Sequence, residues 1–149
     1  MNVSQKCQYA LRAIFELSKH EGQKPLKAGQ MAETQGIPAR FLEVILNELK
    51  QGGFIVSRRG AEGGYLLARP PGSITIGEII QFIDGSFGPL KATEDETASG
   101  SRGTADAVLE PVWNQAVRAA SAILDRTTFA SLVEEERQQA TKQAVNYTI

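Results

Sequence analysis

The side chains able to do chemistry in this chain of 149 residues are few and scattered. One cysteine, Cys7, and one histidine, His20, close no internal disulfide and cannot assemble a four-ligand Cys/His zinc site. No nucleophile, base and orienting group stand at a recognisable spacing, so the chain is read as not an enzyme. What remains is recognition chemistry. Arg40 is suited to donate a bidentate pair of hydrogen bonds to guanine, and Glu43 to accept from a cytosine amino group. A carboxylate near phosphates costs affinity unless it finds a base donor, so Glu43 would act chiefly by rejecting wrong bases. Arg58 and Arg59 stand in a stretch with Gly60, Gly63 and Gly64, which suits a hairpin tip that enters a minor groove and brings backbone close to phosphate. Lys6, Lys27, Gln30 and Lys50 are candidates for phosphate contacts, a sequence-independent attraction that salt weakens. Each has a plainer reading beside it: charges solvated on a helix or loop, and glycines that only satisfy turn geometry.

Positioning these groups requires a particular set of elements. Ala10, Ala13, Ile14 and Leu17 recur at helical spacing from Ser4 to near Gly22. After Lys24-Pro25, a short helix around Ala28, Met31 and Ala32 closes at Gly36, and Leu42, Ile45, Leu46 and Leu49 mark a third helix ended by Gly52-Gly53. Ala39, Arg40 and Glu43 fall opposite that third stripe, free to face a groove. The period then changes to 2 at Phe54 to Val56 and again at Tyr65 to Leu67, two strands of a basic wing. Thr75 to Glu78 matches a capping box opening a helix with Ile76, Ile79, Ile80 and Ile83 on one face.

Beyond that helix the sequence divides differently. Phe87 to about Thr104 has the composition of a mobile loop, with Glu94, Asp95 and Glu96 read, like Asp106, as solvated charges. Leu109, Val112, Trp113, Ala116, Ala120, Ile123 and Leu124 form an apolar stripe on a long helix expected from Glu110 to Arg126, with Pro111 tolerable only in its first turn or at a kink. That stripe exceeds what a small domain must cover, which favours a homodimer over packing back onto the chain's own winged part. A last helix through Phe129, Leu132 and Val133 is expected to fray from Glu134 onward. The organisation read is residues 1–85 as a DNA-binding winged helix-turn-helix, 86–108 as a flexible effector-type loop, and 109–149 as dimerisation helix and tail. The fold class is mainly α with a small two-stranded β wing.

Composition bounds the answer from outside. Residues 1–70 carry ten Lys/Arg against six Asp/Glu, and residues 71–149 six against eleven, so a basic half adjoins an acidic one although the net charge is −1. No apolar run approaches the roughly 20 residues of a membrane helix, and the polar N-terminus is no signal peptide, so a cytoplasmic protein without a membrane partner is expected.

Three segments carry a resemblance: Val3-Ser4-Gln5-Lys6 with Tyr9 to Ala13, Gln35 to Pro38 with Phe41-Leu42-Glu43, and Arg59-Gly60 with Gly63 to Pro70. They resemble the Rrf-two (Rrf2) family of bacterial transcription regulators, over almost the whole chain and most specifically in residues 1–85. The resemblance implies a homodimer that reads a roughly palindromic operator on double-stranded DNA, with Glu43 as the base-reading glutamate and Arg59 as the minor-groove arginine. Arg40 falls where members vary, which points to a changed operator preference. Ser4, Tyr9 and Tyr65, in the matching segments, complete the candidate DNA-binding set. One departure stands out: many members hold an iron–sulfur cluster through three cysteines before the long helix, and here Pro89 to Val108 contains none. No cofactor is therefore expected, since thiolate is the ligand such clusters need. Two rivals remain: a sensor whose 87–108 loop takes a metal, small molecule or partner protein, and a winged helix used only for protein–protein assembly.

Overall fold

A computed structural model describes residues 3–85 and 103–148 of the chain. Ser4 starts helix α1 (Gln5–Lys19): its Oγ accepts the Cys7 backbone N–H at 3.1 Å and donates to Asp84, whose other oxygen accepts the Ser4 N–H at 3.0 Å. Helix α2 (Ala28–Gln35) ends where Gly36 takes the left-handed conformation at φ 63°, and Pro38 precedes helix α3 (Ala39–Gln51). The apolar stripes predicted for these helices become one core, with Ala10, Ile14, Met31, Leu42, Leu46 and Leu49 wholly or almost wholly removed from solvent. Pro38 fixes φ and lacks the N–H a helix start leaves unpaired, so the turn between α2 and α3 needs few residues.

Strands β1 (Ile55–Arg58) and β2 (Gly64–Leu67) pair antiparallel, Ile55 opposite Leu67 and Arg58 opposite Gly64. Leu26 adds a short third edge by exchanging backbone hydrogen bonds with Tyr65 at 3.0 and 2.8 Å. After a single 3-10 turn at Pro71–Ser73, helix α4 (Ile76–Asp84) opens with the expected capping box: Thr75 Oγ1 accepts the Glu78 N–H while Glu78 accepts the Thr75 N–H.

Helix α5 (Thr104–Arg126) and helix α6 (Phe129–Tyr147) follow. Their junction is joined to the start of α4 by a backbone bridge, Ile76 N–H to Thr127 O and Phe129 N–H to Ile74 O, each 3.0 Å, with Thr75 paired to Thr128. Phe129 is buried in the main core, and α6 lies along α1, where Lys19 bonds Glu136 at 2.9 Å. The nearly buried Glu16 accepts from Gln35 Nε2 at 2.6 Å, so one carboxylate ties α1 to α2.

Two boundaries differ from expectation. The loop read as 86–108 is corrected at its far end, because Thr104 to Val108 is already helix; residues 86–102 lie outside the described residues. Gly103 stands at the N-cap, Asp106 suits the positive end of the first turn, and the alanines at 105 and 107 favour helix. Pro111 therefore sits inside α5, where it lacks the N–H that would bond the Ala107 carbonyl and its ring crowds that carbonyl, a cost that the helix-forming residues on both sides offset. The fraying expected from Glu134 is likewise corrected, since α6 runs to Tyr147. Its Glu, Gln, Ala, Lys and Arg residues are strong helix formers with no glycine or proline among them, and Arg137 pairs with Glu134 at 3.1 Å. Among the described residues no helix is long and apolar enough to cross a membrane.

Candidate nucleic-acid interface

Helix α3 buries Leu42, Ile45, Leu46 and Leu49, and at 3.6 residues per turn the opposite line runs through Arg40, Val44 and Asn47. All three are exposed. Ala39, Glu43 and Lys50 occupy one flank, also exposed, and Phe41 with Glu48 the other, beside α1. Phe41 meets Tyr9 with ring centroids 6.5 Å apart, and the Arg12 guanidinium lies over Tyr9 at 5.9 Å. The expectation that Arg40 and Glu43 face outward is met, and among the described residues neither forms an ion pair. A guanidinium and a carboxylate left unneutralised on an exposed helix face keep their full hydrogen-bonding capacity for a base edge.

The wing is held more tightly than its composition suggests. Arg58 and Arg59 are exposed and make no ion pair among the described residues. Gly60 also lies in the open. Gly63 and Gly64, however, were expected to let backbone approach phosphate, and here they admit the protein's own backbone. A Cβ on Gly63 would fall on the Arg58 carbonyl oxygen, and one on Gly64, at φ 154°, would lie 2.6 Å from the Leu26 carbonyl. These glycines shape the tip that carries the arginines. Tyr65, half-buried, is likewise occupied by its bridge to Leu26 and by core packing.

The remaining candidates divide in the same way. Lys27 precedes α2 and is exposed; its backbone N–H is accepted by Gln30 at 3.3 Å, so the two mark the α2 N-terminus. Lys50 is exposed at the end of α3. Lys6 pairs with Glu48 at 3.1 Å, which spends its charge on holding α1 to α3. Ser4 is engaged by the α1 cap and Asp84, and Tyr9 by Phe41. The exposed side of α3 also holds Phe41 and Val44, which were not among the sequence candidates. A surface position filled by an apolar residue looks like core until the opposite stripe is seen to be complete.

The stripe on α5 has a different environment. None of its residues is buried, and Leu109, Val112, Trp113 and Ile123 are exposed, as is Val108 one position before the expected start. Ala116 is exposed, and Ala120 and Leu124 are partly covered.

Cys7 does not present a thiolate. It is buried in α1, and burial, aided by the negative charge of Asp84, pushes its thiol up to about 12. With no second cysteine in the sequence, the residues do not fit a cysteine-held cluster, and among the described residues no group of three or more His, Cys, Asp or Glu side chains is gathered around a metal-sized space.

Residues 3–135 match the Rrf2 family, described as iron-dependent transcriptional regulators. The transcriptional regulator CymR of Bacillus subtilis is 32% identical over 132 residues, 89% of either chain, and IscR of Yersinia enterocolitica is 29% identical over 91% of this chain and 81% of its own. Among solved structures, B. subtilis CymR, the global cysteine regulator, superposes with a TM-score of 0.77 at 31% identity over 91% of this chain and 98% of that one. IscR of T. potens gives 0.74 at 30% identity, over 91% and 88%.

Proposed function

Because the chain belongs to the Rrf2 family and is a DNA-binding transcription regulator of winged-helix fold, not an enzyme, we propose that it reads its operator as a homodimer through α3 and the wing. Arg40 and Glu43 select bases in the major groove, and Arg59, with Arg58 beside it, enters the adjoining minor groove. Lys27, Gln30 and Lys50 contact phosphate. The observation that carries this reading is that Arg40, Arg58 and Arg59 are uncovered, without an ion pair among the described residues, while the apolar face of α3 is buried in the core. The α5 stripe packs against the same stripe of a second copy, so two modules present related surfaces to a roughly palindromic site in the cytoplasm. Two half-sites are needed because one small module makes too few base contacts for operator-level discrimination.

The reading includes no iron–sulfur cluster, on the cysteine count alone; an anaerobically purified sample with visible cluster absorbance would overturn that part. The central test uses duplexes enriched from a random pool by the full chain. Arg59→Ala is expected to weaken binding about tenfold at physiological salt, and Glu43→Ala to lose less affinity while tolerating more single-base variants. Equal discrimination by wild type and Glu43→Ala across all such variants would remove Glu43 from the reading.

A further inference from the structure

We propose that Val44, with Phe41 at its side, recognises the 5-methyl group of a thymine in the operator, which makes α3 a reader of apolar as well as polar base edges. The proposal rests on the assignment of α3 as the base-reading helix. Val44 is 55% exposed and Phe41 60%. Together with Gln5, Lys6, Tyr9 and Ile45 they line an open groove of about 410 Å³ between α1 and α3. Phe41 and Val44 hold adjacent apolar surface in water, and a partner that covers it gains the free energy of that burial. Its place says what the contact is. Val44 lies on the outermost line of α3 between Arg40 and Asn47, continuous with the base-reading surface, and Arg40 and Lys50 put positive charge on its exposed side beside Glu43, Glu48 being paired with Lys6. Among base edges in the major groove the one apolar group is the thymine methyl. Val44 follows Arg40 by four residues, about 6 Å along the helix, or roughly two base steps of 3.4 Å. The thymine it reads therefore lies within about two base pairs of the guanine bound by Arg40.

The experiment replaces each thymine of a selected duplex in turn by deoxyuridine, which removes the methyl and nothing else. With the wild-type chain, one position in each half-site is expected to lose about threefold to fivefold in affinity, the effect of one methyl taken out of a contact. That position lies within about two base pairs of the guanine whose substitution Arg40→Ala tolerates. With Val44→Ala, expected to fold normally because the side chain is exposed, the thymine-to-uracil difference falls below about twofold. No sensitive position in the wild type, or full sensitivity retained in Val44→Ala, overturns the proposal and leaves the operator reading intact. Failure to enrich any duplex overturns that reading itself. If Val44→Ala instead lowers the sedimenting mass and keeps the thymine preference, the patch joins two copies of the chain and the proposal is wrong.

Discussion

The winged module and helix α5 share one chain and obey opposite burial rules. In the module, each helix hides its apolar stripe from water, and every wholly buried hydrophobic residue described belongs to residues 3–85 except Phe129. In α5, 23 residues long, nothing is buried although the sequence carries an equally regular stripe. The same amphipathic pattern is therefore a fold instruction in one place and, in the proposed homodimer, an assembly instruction in the other. Periodicity marks a face that must be covered; it does not say by what.

The largest effect tests the module's side of this contrast. Leu46→Ala removes a fully buried side chain between α1 and α3 and is expected to cost about 2–5 kcal/mol in thermal or urea unfolding. A cost below 1 kcal/mol would mean the core is not the closed unit it appears from its burial. Trp113→Asp probes the other side. It is expected to leave a 16.1 kDa species in sedimentation and to weaken operator binding about a hundredfold, through loss of the second module's effective concentration. A variant still dimeric at micromolar concentration would break the comparison. Thr75→Ala, which removes the α4 cap beside the bridge to Thr128, should cost about 1 kcal/mol by the same unfolding measurement.

The smallest effect concerns Cys7. An unfolded thiol ionises near 9, and burial holds the folded one up to about 12. The unfolded chain thus releases a proton that the folded chain keeps, so this group leaves stability unchanged below pH 9 and lowers it as pH rises from 9 toward 12. Cys7→Ala should flatten that decline relative to wild type, and iodoacetamide at pH 8 should leave the native thiol unmodified. Prompt alkylation in the native state would show that α1 does not shield it.

What could be read in advance follows the same division. The stripes of α1 and α3, the left-handed Gly36 and the Thr75/Glu78 box were legible because each rests on a local rule that the tertiary structure had no reason to override. The start of α5 was not, since Pro111 looks like a boundary and only the helix-forming residues on both sides outweigh it. Gly63 and Gly64 announced a turn, but the Leu26 backbone that Gly64 meets is distant in sequence. In the candidate site, the exposure of Arg40, Glu43 and Arg59 was legible from charge and spacing. The spending of Lys6 on Glu48 and of Ser4 on Asp84 was not, because each partner comes from another helix.

The bridge of Thr75 and Thr128 bears on how such a regulator measures its target. Helix α5 spans about 34 Å, so an angular change of a few degrees where it meets the module displaces its far end by a couple of ångströms. In the proposed dimer, two such arms joined back to back act as callipers whose opening is set where Ile76 bonds Thr127 and Phe129 bonds Ile74, on either side of the Thr75–Thr128 pair. Substitutions at Ile74, Thr75, Thr127 or Thr128 would then retune the distance between half-sites without touching any residue that meets a base.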